Sequence, residues 1–272
     1  MSRKRNRVKN VIGIILLPFV LWFLVRWFER ASVFQPSRVM AAEPAELGRP
    51  FHQFELHAPG ALLQAWFFPA DTNAPWAGKV ILLCHGNAGN ISHRLAHAET
   101  FLNAGASAFL FDYRGYGRSS GKPSEKGLYA DARAAYDFLI GKGVAATNII
   151  LFGESLGSAV ATELASTEPT GGLVLLSGFT SIPDLGRELF PFIPRFLGSI
   201  RFNSLERIPR VNAPVLVIHS RLDTLIGFHH GQKLFAAAPE PKTFLEIQAD
   251  HNESFYAEGQ VIADALRGML RR

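Results

Sequence analysis

The sequence contains a single cysteine, Cys84, in 272 residues, which excludes an internal disulfide framework and any cysteine-rich zinc site. Internal repeats and low-complexity tracts are absent. With 48% hydrophobic and 19% charged residues, the chain is neither disordered nor collagen-like and can bury a full core. Charge is scarce and unevenly placed. Lys and Arg exceed Asp and Glu by 28 to 23. Residues 1–30 carry seven of the basic residues and one acidic residue, Glu29, while the other 242 hold 21 basic and 22 acidic. The body of the chain therefore lacks the basic face that nucleic-acid binding needs, and no nucleic-acid partner is expected.

Long apolar runs are also scarce, with one exception. Arg3, Lys4, Arg5, Arg7 and Lys9 precede an apolar run from Val11 to Val25, closed by Arg26 and followed by Trp27 and Phe28. A membrane-spanning helix needs about 20 such residues, a length reached over 11–28 if Arg26 snorkels and Trp22, Trp27 and Phe28 sit at the interface. The Arg-Trp-Phe-Glu-Arg sequence after the run is unlike a signal-peptide cleavage site. The run also lacks the polar face of a soluble surface helix. These features predict a basic flank (1–10), a transmembrane anchor (11–28), a connector (29–50) and a folded domain (51–272). The positive-inside rule places the N-terminus in the cytoplasm and the folded domain on the extracytoplasmic side, an asymmetry blunted by Arg26, Arg30 and Arg38.

Within the folded domain, Phe51–His57 and Leu62–Phe68 alternate as two strands of a hairpin turned at Pro59-Gly60. Continuous apolar runs follow at Val80–Cys84, Ala106–Phe111, Ile149–Phe152, Leu173–Leu176, Val215–Ile218 and Phe244–Ile247. Such runs suit strands covered on both faces. Helical stretches at Ser92–Asn103, Glu125–Ile140, Leu156–Ser166, His229–Ala238 and Glu253–Leu270 separate them. The alternation predicts a mostly parallel, doubly wound α/β sheet in one domain. Phe179 to Val211 interrupts it. This interval is rich in phenylalanine and is broken by prolines at 183, 191, 194 and 209, so it reads as a small apolar insertion over the end of the sheet. Phe179, Phe190, Phe192 and Phe196 are its candidate substrate-pocket residues; plain packing on the sheet is the alternative reading.

Gly153-Glu154-Ser155-Leu156-Gly157 lies between a predicted strand and a predicted helix, the context of a nucleophile elbow. A serine hydroxyl needs a base to take its proton and an acid to orient that base. In this kind of fold they follow in the order Ser, acid, His. Asp223 follows the strand Val215–Ile218 and His251 follows Phe244–Ile247, both at strand carboxyl ends, where active sites of open α/β sheets gather. Rivals fit less well. Asp250 is a sequence neighbour of His251 and points away from it, Asp112 suits the Tyr113–Gly117 turn, and His219 suits a core histidine. His93 and His97 share a helix face but lack the Glu and third ligand of a metal site, so no metal or cofactor is expected. An oxyanion needs backbone donors, for which Leu156 and either Asn87 or Ala88 are the candidates.

The segments His85-Gly86-Asn87-Ala88-Gly89-Asn90, Asp112-Tyr113-Arg114-Gly115-Tyr116-Gly117-Arg118-Ser119-Ser120-Gly121 and Gly153–Gly157 resemble the Bem46-like α/β-hydrolases. Phe34-Gln35-Pro36, Pro123-Ser124-Glu125 and Gly127-Leu128-Tyr129 extend the match over nearly the whole chain from Phe34 onward. The resemblance implies an α/β-hydrolase fold with a short insertion in place of a large cap, in a family where many members carry an N-terminal anchor and whose relatives include protein depalmitoylases. It also implies Ser155 as nucleophile, Asp223 as acid and His251 as base. The chain departs from the family pattern in its acid and base loops, where Ser220, Gly227 and Asp250 stand in place of Gly, Pro and Gly.

The expected function is a membrane-anchored serine hydrolase acting on carboxylic esters or thioesters with an apolar, lipid-like acyl part. A peptidase or acyltransferase on the same triad, or a non-catalytic membrane-tethered scaffold, are the alternatives.

Overall fold

A computed structural model describes residues 19–271. The expected basic flank (1–10) and the first part of the expected anchor (11–18) lie outside the described residues. Helix α1 occupies 19–33, continuing past Arg26 and past the expected end of the anchor at 28. Among the described residues, no helix is long and apolar enough to cross a membrane.

Three strands follow α1. β1 (Gln35–Pro36) sits within the expected connector, and β2 (His52–Ala58) and β3 (Ala61–Phe68) form the expected antiparallel hairpin. The remaining strands are β4 (Trp76–Cys84), β5 (Ala88–Gly89), β6 (Ala106–Phe111), β7 (Ile149–Glu154), β8 (Gly172–Leu176), β9 (Val215–Ser220) and β10 (Lys242–Ile247). Eight of them form one sheet in the order β10-β9-β8-β7-β4-β6-β3-β2, parallel from β10 to β6. β1 and β5 pair separately, in parallel.

The helices are α2 (Leu95–Ala104), α3 (Glu125–Gly141), α4 (Leu156–Ala165), α5 (Ile182–Leu189), α6 (Ser204–Arg207), α7 (Phe228–Ala237) and α8 (Ser254–Leu270). Each buried strand splits its residues between two cores. In β4, Val80, Leu82 and Cys84 join the core shared with α3, α4 and α7, while Ile81 and Leu83 join the core shared with α2 and α8. This explains why these strands read as unbroken apolar runs: both faces are covered by helices.

β4 lies between β6 and β7, so the chain winds outward to one side of β4 and then to the other. The crevice at this switch point, beyond the strand carboxyl ends, is where the loops carrying the candidate site converge. The insertion at Phe179–Val211 contains α5, α6 and short single turns, as its prolines predict.

Candidate active site

The nucleophile elbow forms where β7 turns into α4. Ser155 has φ 51° and ψ −115°, a left-handed backbone that a serine adopts only when its surroundings enforce it. Two close approaches do so. A Cβ on Gly157 would lie 1.8 Å from the Cys84 carbonyl oxygen, and one on Gly153 would lie 2.5 Å from Gly157 O and Ser158 Cα. The elbow can therefore turn over β4 only with glycine at both places. The Ser155 N–H donates to Leu176 O (2.9 Å), and Ser158 Oγ donates to Ser155 O (2.6 Å), fixing the turn on both sides.

The structure brings the three candidate catalytic residues together. His251 Nε2 lies 3.1 Å from Ser155 Oγ, and His251 Nδ1 lies 2.8 Å from Asp223 Oδ2. The other carboxylate oxygen, Oδ1, accepts the amides of Leu225 (3.0 Å) and Ile226 (2.7 Å), which locks the Asp223 side chain in position. Burial alone would raise the Asp223 carboxyl. The hydrogen bond from His251, the charge of that ring and the Ile226 amide outweigh it and hold the group below its ordinary value.

The rival residues take structural places. Asp250 Oδ1 accepts from Thr224 N (3.1 Å) and Thr224 Oγ1 (2.9 Å), tying the base loop to the acid loop. Two family departures thus have local roles: Asp250 makes this tie, and Ser220 Oγ accepts the Leu222 amide at 2.9 Å. His219 is buried with Nε2 2.9 Å from Ile226 O, beneath the acid loop rather than beside Ser155. Asp112 Oδ1 accepts the Ile91 amide at 2.8 Å, bracing the loop after β4. His93 folds back on Asn90, while His97 stacks on Phe255 and lies 3.3 Å from Glu154 Oε2, so the two do not converge. Cys84 is buried and its thiol is pushed up to about 12, so it remains protonated and inert.

The loop after β4 carries the candidate oxyanion donors and is oriented by three groups. His85 Nδ1 lies 2.8 Å from Gly86 O, and Asn87 O accepts from Tyr116 Oη (2.8 Å) and Gln35 N (3.0 Å). Because each peptide is planar and trans, fixing these carbonyls also fixes the opposed N–H groups of Asn87 and Ala88. Asn87, Ala88 and Leu156 line one cavity with Ser155 and His251.

Glu154, the variable residue of the elbow, links that loop to the nucleophile. Its Oε2 accepts the Gly86 amide (3.2 Å) and Arg94 Nε (3.1 Å). Burial would raise this carboxyl, but Arg94, His97 and the Gly86 amide hold it well below the ordinary range. The sequence motif treats this position as arbitrary, so the role of Glu154 was not visible there. Nor were those of His85, Tyr116 and Gln35, which act across long separations.

The cavity has a volume of about 460 Å³. Of the four phenylalanines expected to line it, Phe179 and Phe190 do. Phe192 and Phe196 do not: they are 95% and 81% exposed, while Ile193 and Pro194 between them take the cavity side of this segment. A further part of the wall comes from an unexpected source, helix α1, through Val25, Phe28, Glu29, Ser32 and Val33.

Comparison with known proteins agrees with this architecture. The family model described as serine aminopeptidase, S33, matches residues 77–206, which include the elbow but end before Asp223 and His251. An uncharacterized protein of Mycobacterium tuberculosis is 38% identical over 99% of this chain and 97% of its own length. Protein bem46 of Schizosaccharomyces pombe is 31% identical over 85% of this chain and 82% of its own. The α/β hydrolase domain-containing protein WAV2 of Arabidopsis thaliana is 32% identical over 86% and 84%. Among solved structures, the Pyrococcus furiosus esterase Pf2001 superposes with a TM-score of 0.71 at 20% identity, covering 88% of this chain and 97% of that one, a likeness of fold. An α/β hydrolase from Vibrio vulnificus gives 0.72 at 21% identity, over 90% and 93%. With relatives matched along most of its length and an α/β-hydrolase sheet bearing their motifs, the chain belongs to the Bem46-like α/β-hydrolase family.

Proposed function

We propose that the protein is a membrane-anchored serine hydrolase that cleaves carboxylic ester or thioester bonds of apolar acyl substrates through an acyl-enzyme intermediate. The observation that carries this reading is the unbroken chain from Ser155 Oγ to His251 (3.1 Å) to Asp223 (2.8 Å) at the floor of a mostly apolar cavity. Ser155 Oγ attacks the acyl carbonyl while His251 Nε2 takes its proton. Asp223 holds the Nδ1–H and stabilises the resulting imidazolium. The oxyanion is received by the Leu156 amide, at the positive end of α4, and by the amide of Asn87 or Ala88. His251 then returns the proton to the departing alcohol or thiol, and water attacks the acyl-enzyme by the same route to release the acid.

One feature favours esters over amino-terminal peptides. An aminopeptidase site needs a carboxylate to hold the substrate ammonium. Among the described residues, the acidic residue lining this cavity is Glu29, whose carboxylate is occupied by the Ser199 and Ile200 amides. The anchor, with the N-terminus in the cytoplasm and the folded domain outside, rests on the sequence. It is supported by the apolar side chains exposed along α1, and retention in membranes after an alkaline carbonate wash tests it.

Ser155→Ala tests the catalytic assignment. Hydrolysis of p-nitrophenyl butyrate by the full chain should fall at least about 10³-fold, and activity near the parent level would refute the assignment.

A further inference from the structure

Helix α1 does more than lead into the domain. Its cavity-lining residues, Val25, Phe28, Glu29, Ser32 and Val33, fall at i, i+3, i+4, i+7 and i+8, one face of a helix. That face is seated firmly. Glu29 accepts the amides of Ser199 and Ile200 at 2.8 and 3.0 Å, Phe28 packs edge-on against Phe190 with ring centroids 5.0 Å apart, and Arg30 donates to Pro123 O at 2.9 Å. Where α1 ends, the chain enters β1, whose Gln35 amide braces the loop holding the candidate oxyanion donors.

The outer turns of the same helix are apolar on every side and uncovered. Phe19, Val20, Leu21, Trp22, Phe23 and Leu24 are each about half or more exposed. The apolar sequence continues back to Val11 and is preceded by five basic residues between Arg3 and Lys9, a charge complement to anionic lipid headgroups. The insertion segment touching α1 at Phe190 and again at Ser199–Ile200 presents Phe192 and Phe196 between those contacts, both nearly fully exposed.

Resting on the hydrolase reading above, we propose that α1 is a wall of the acyl pocket as well as the anchor. The pocket then opens at the bilayer surface, where Phe192 and Phe196 dip beside α1, and the acyl chain passes from the lipid phase directly against Val25 and Phe28. A soluble substrate reaches Ser155 through water and has no use for the two outer rings. A bilayer-borne substrate depends on them, because each ring inserted at the interface stabilises docking of the mouth against lipid.

The test uses the full chain with phosphatidylcholine–phosphatidylglycerol vesicles. In Phe192→Glu/Phe196→Glu, hydrolysis of p-nitrophenyl palmitate carried in vesicles should fall at least about ten-fold, with p-nitrophenyl butyrate in solution within about two-fold of the parent. Equal changes on both substrates, or none on either, would overturn the proposal. Phe28→Ala should alter the palmitate-to-butyrate rate ratio at least about five-fold, and an unchanged ratio would remove α1 from the pocket wall. A readout independent of activity separates this proposal from the hydrolase reading. Cys84 is buried and unreactive, so Phe196→Cys can be labelled alone with an environment-sensitive fluorophore. Its emission should shift to the blue and be quenched by lipid-borne quenchers when vesicles are added. An unshifted emission, or a shift explained by dimerisation without vesicles, would contradict the lipid contact even if the esterase activity holds.

Discussion

Glu29 and Glu125 hold four consecutive backbone amides of one loop: Glu29 accepts Ser199 and Ile200, and Glu125 accepts Arg201 (2.7 Å) and Phe202 (2.8 Å). One carboxylate comes from α1, the helix that leads into the domain, and the other from the first turn of α3. Together they fix the far end of the insertion against the pocket.

Glu125→Ala should therefore destabilise the protein. It removes the partner of two amides and of Tyr129 Oη (3.0 Å), a loss of about 1–3 kcal/mol for groups left without a partner. Thermal unfolding should move down by several degrees, and an unchanged midpoint would show that the loop finds other partners.

The elbow glycines differ sharply from glycines elsewhere. Gly157→Ala places a methyl group 1.8 Å from a backbone oxygen of β4, which cannot move without breaking the sheet, so a loss above about 4 kcal/mol is expected. Gly268 lies within α8 with nothing within 4 Å of an added Cβ. Gly268→Ala should stabilise by about 0.5–1 kcal/mol. Denaturant melts of the two variants provide the comparison, and similar midpoints would contradict it.

Asp223, in the acid loop after β9, and Asp250, in the base loop after β10, act differently. Asp223→Asn keeps the shape of the side chain but loses the charge that orients and stabilises the His251 ring, so kcat should fall about 10³–10⁴-fold with little change in melting. Asp250→Ala removes the ties to Thr224 and to the His251 backbone amide but leaves the partner of His251 Nδ1 in place, and a fall of about ten-fold or less is expected. A larger effect from Asp250→Ala than from Asp223→Asn would reverse the assignment of the acid.

Stability should fall on the acid side. Burial holds the imidazoles of His97, His219 and His230 below their ordinary value of 6.5. As pH falls, the unfolded chain takes up protons at these groups before the folded one does. Their contribution is thus complete above about pH 6.5 and is lost as pH drops toward the folded values. Glu154, whose carboxyl is held well below its ordinary 4.5, extends the loss to lower pH. Melting at about pH 5 should lie below that at about pH 7.5. A higher midpoint at the lower pH would show these groups to be charged in the fold.

The sheet was legible because the parallel strands inside the edge strand β10 are covered on both faces and spelled as apolar runs, and because Ser155, Asp223 and His251 each stand beyond such a run. The helix caps blurred the boundaries: α2 begins at Leu95 rather than Ser92, because a short turn over Ile91–His93 precedes it. The pocket was half legible. Phe179 and Phe190 face it, but Phe192 and Phe196 face outward while Ile193 and Pro194 between them take the cavity side, a distinction that composition does not carry. The role of α1 was hidden more deeply. Its apolar run satisfies the anchor pattern whether or not its last two turns close a cavity. That role appears only once Glu29 meets Ser199 across the fold.

Labelling with a fluorophosphonate probe, with the modified residue located by peptide mass spectrometry, tests the central claim most directly. A serine activated by His251 and Asp223 should give one adduct, on Ser155, lost in Ser155→Ala and strongly slowed in His251→Ala. Labelling that persists in folded Ser155→Ala, or the absence of any adduct on folded parent protein, would contradict the catalytic assignment.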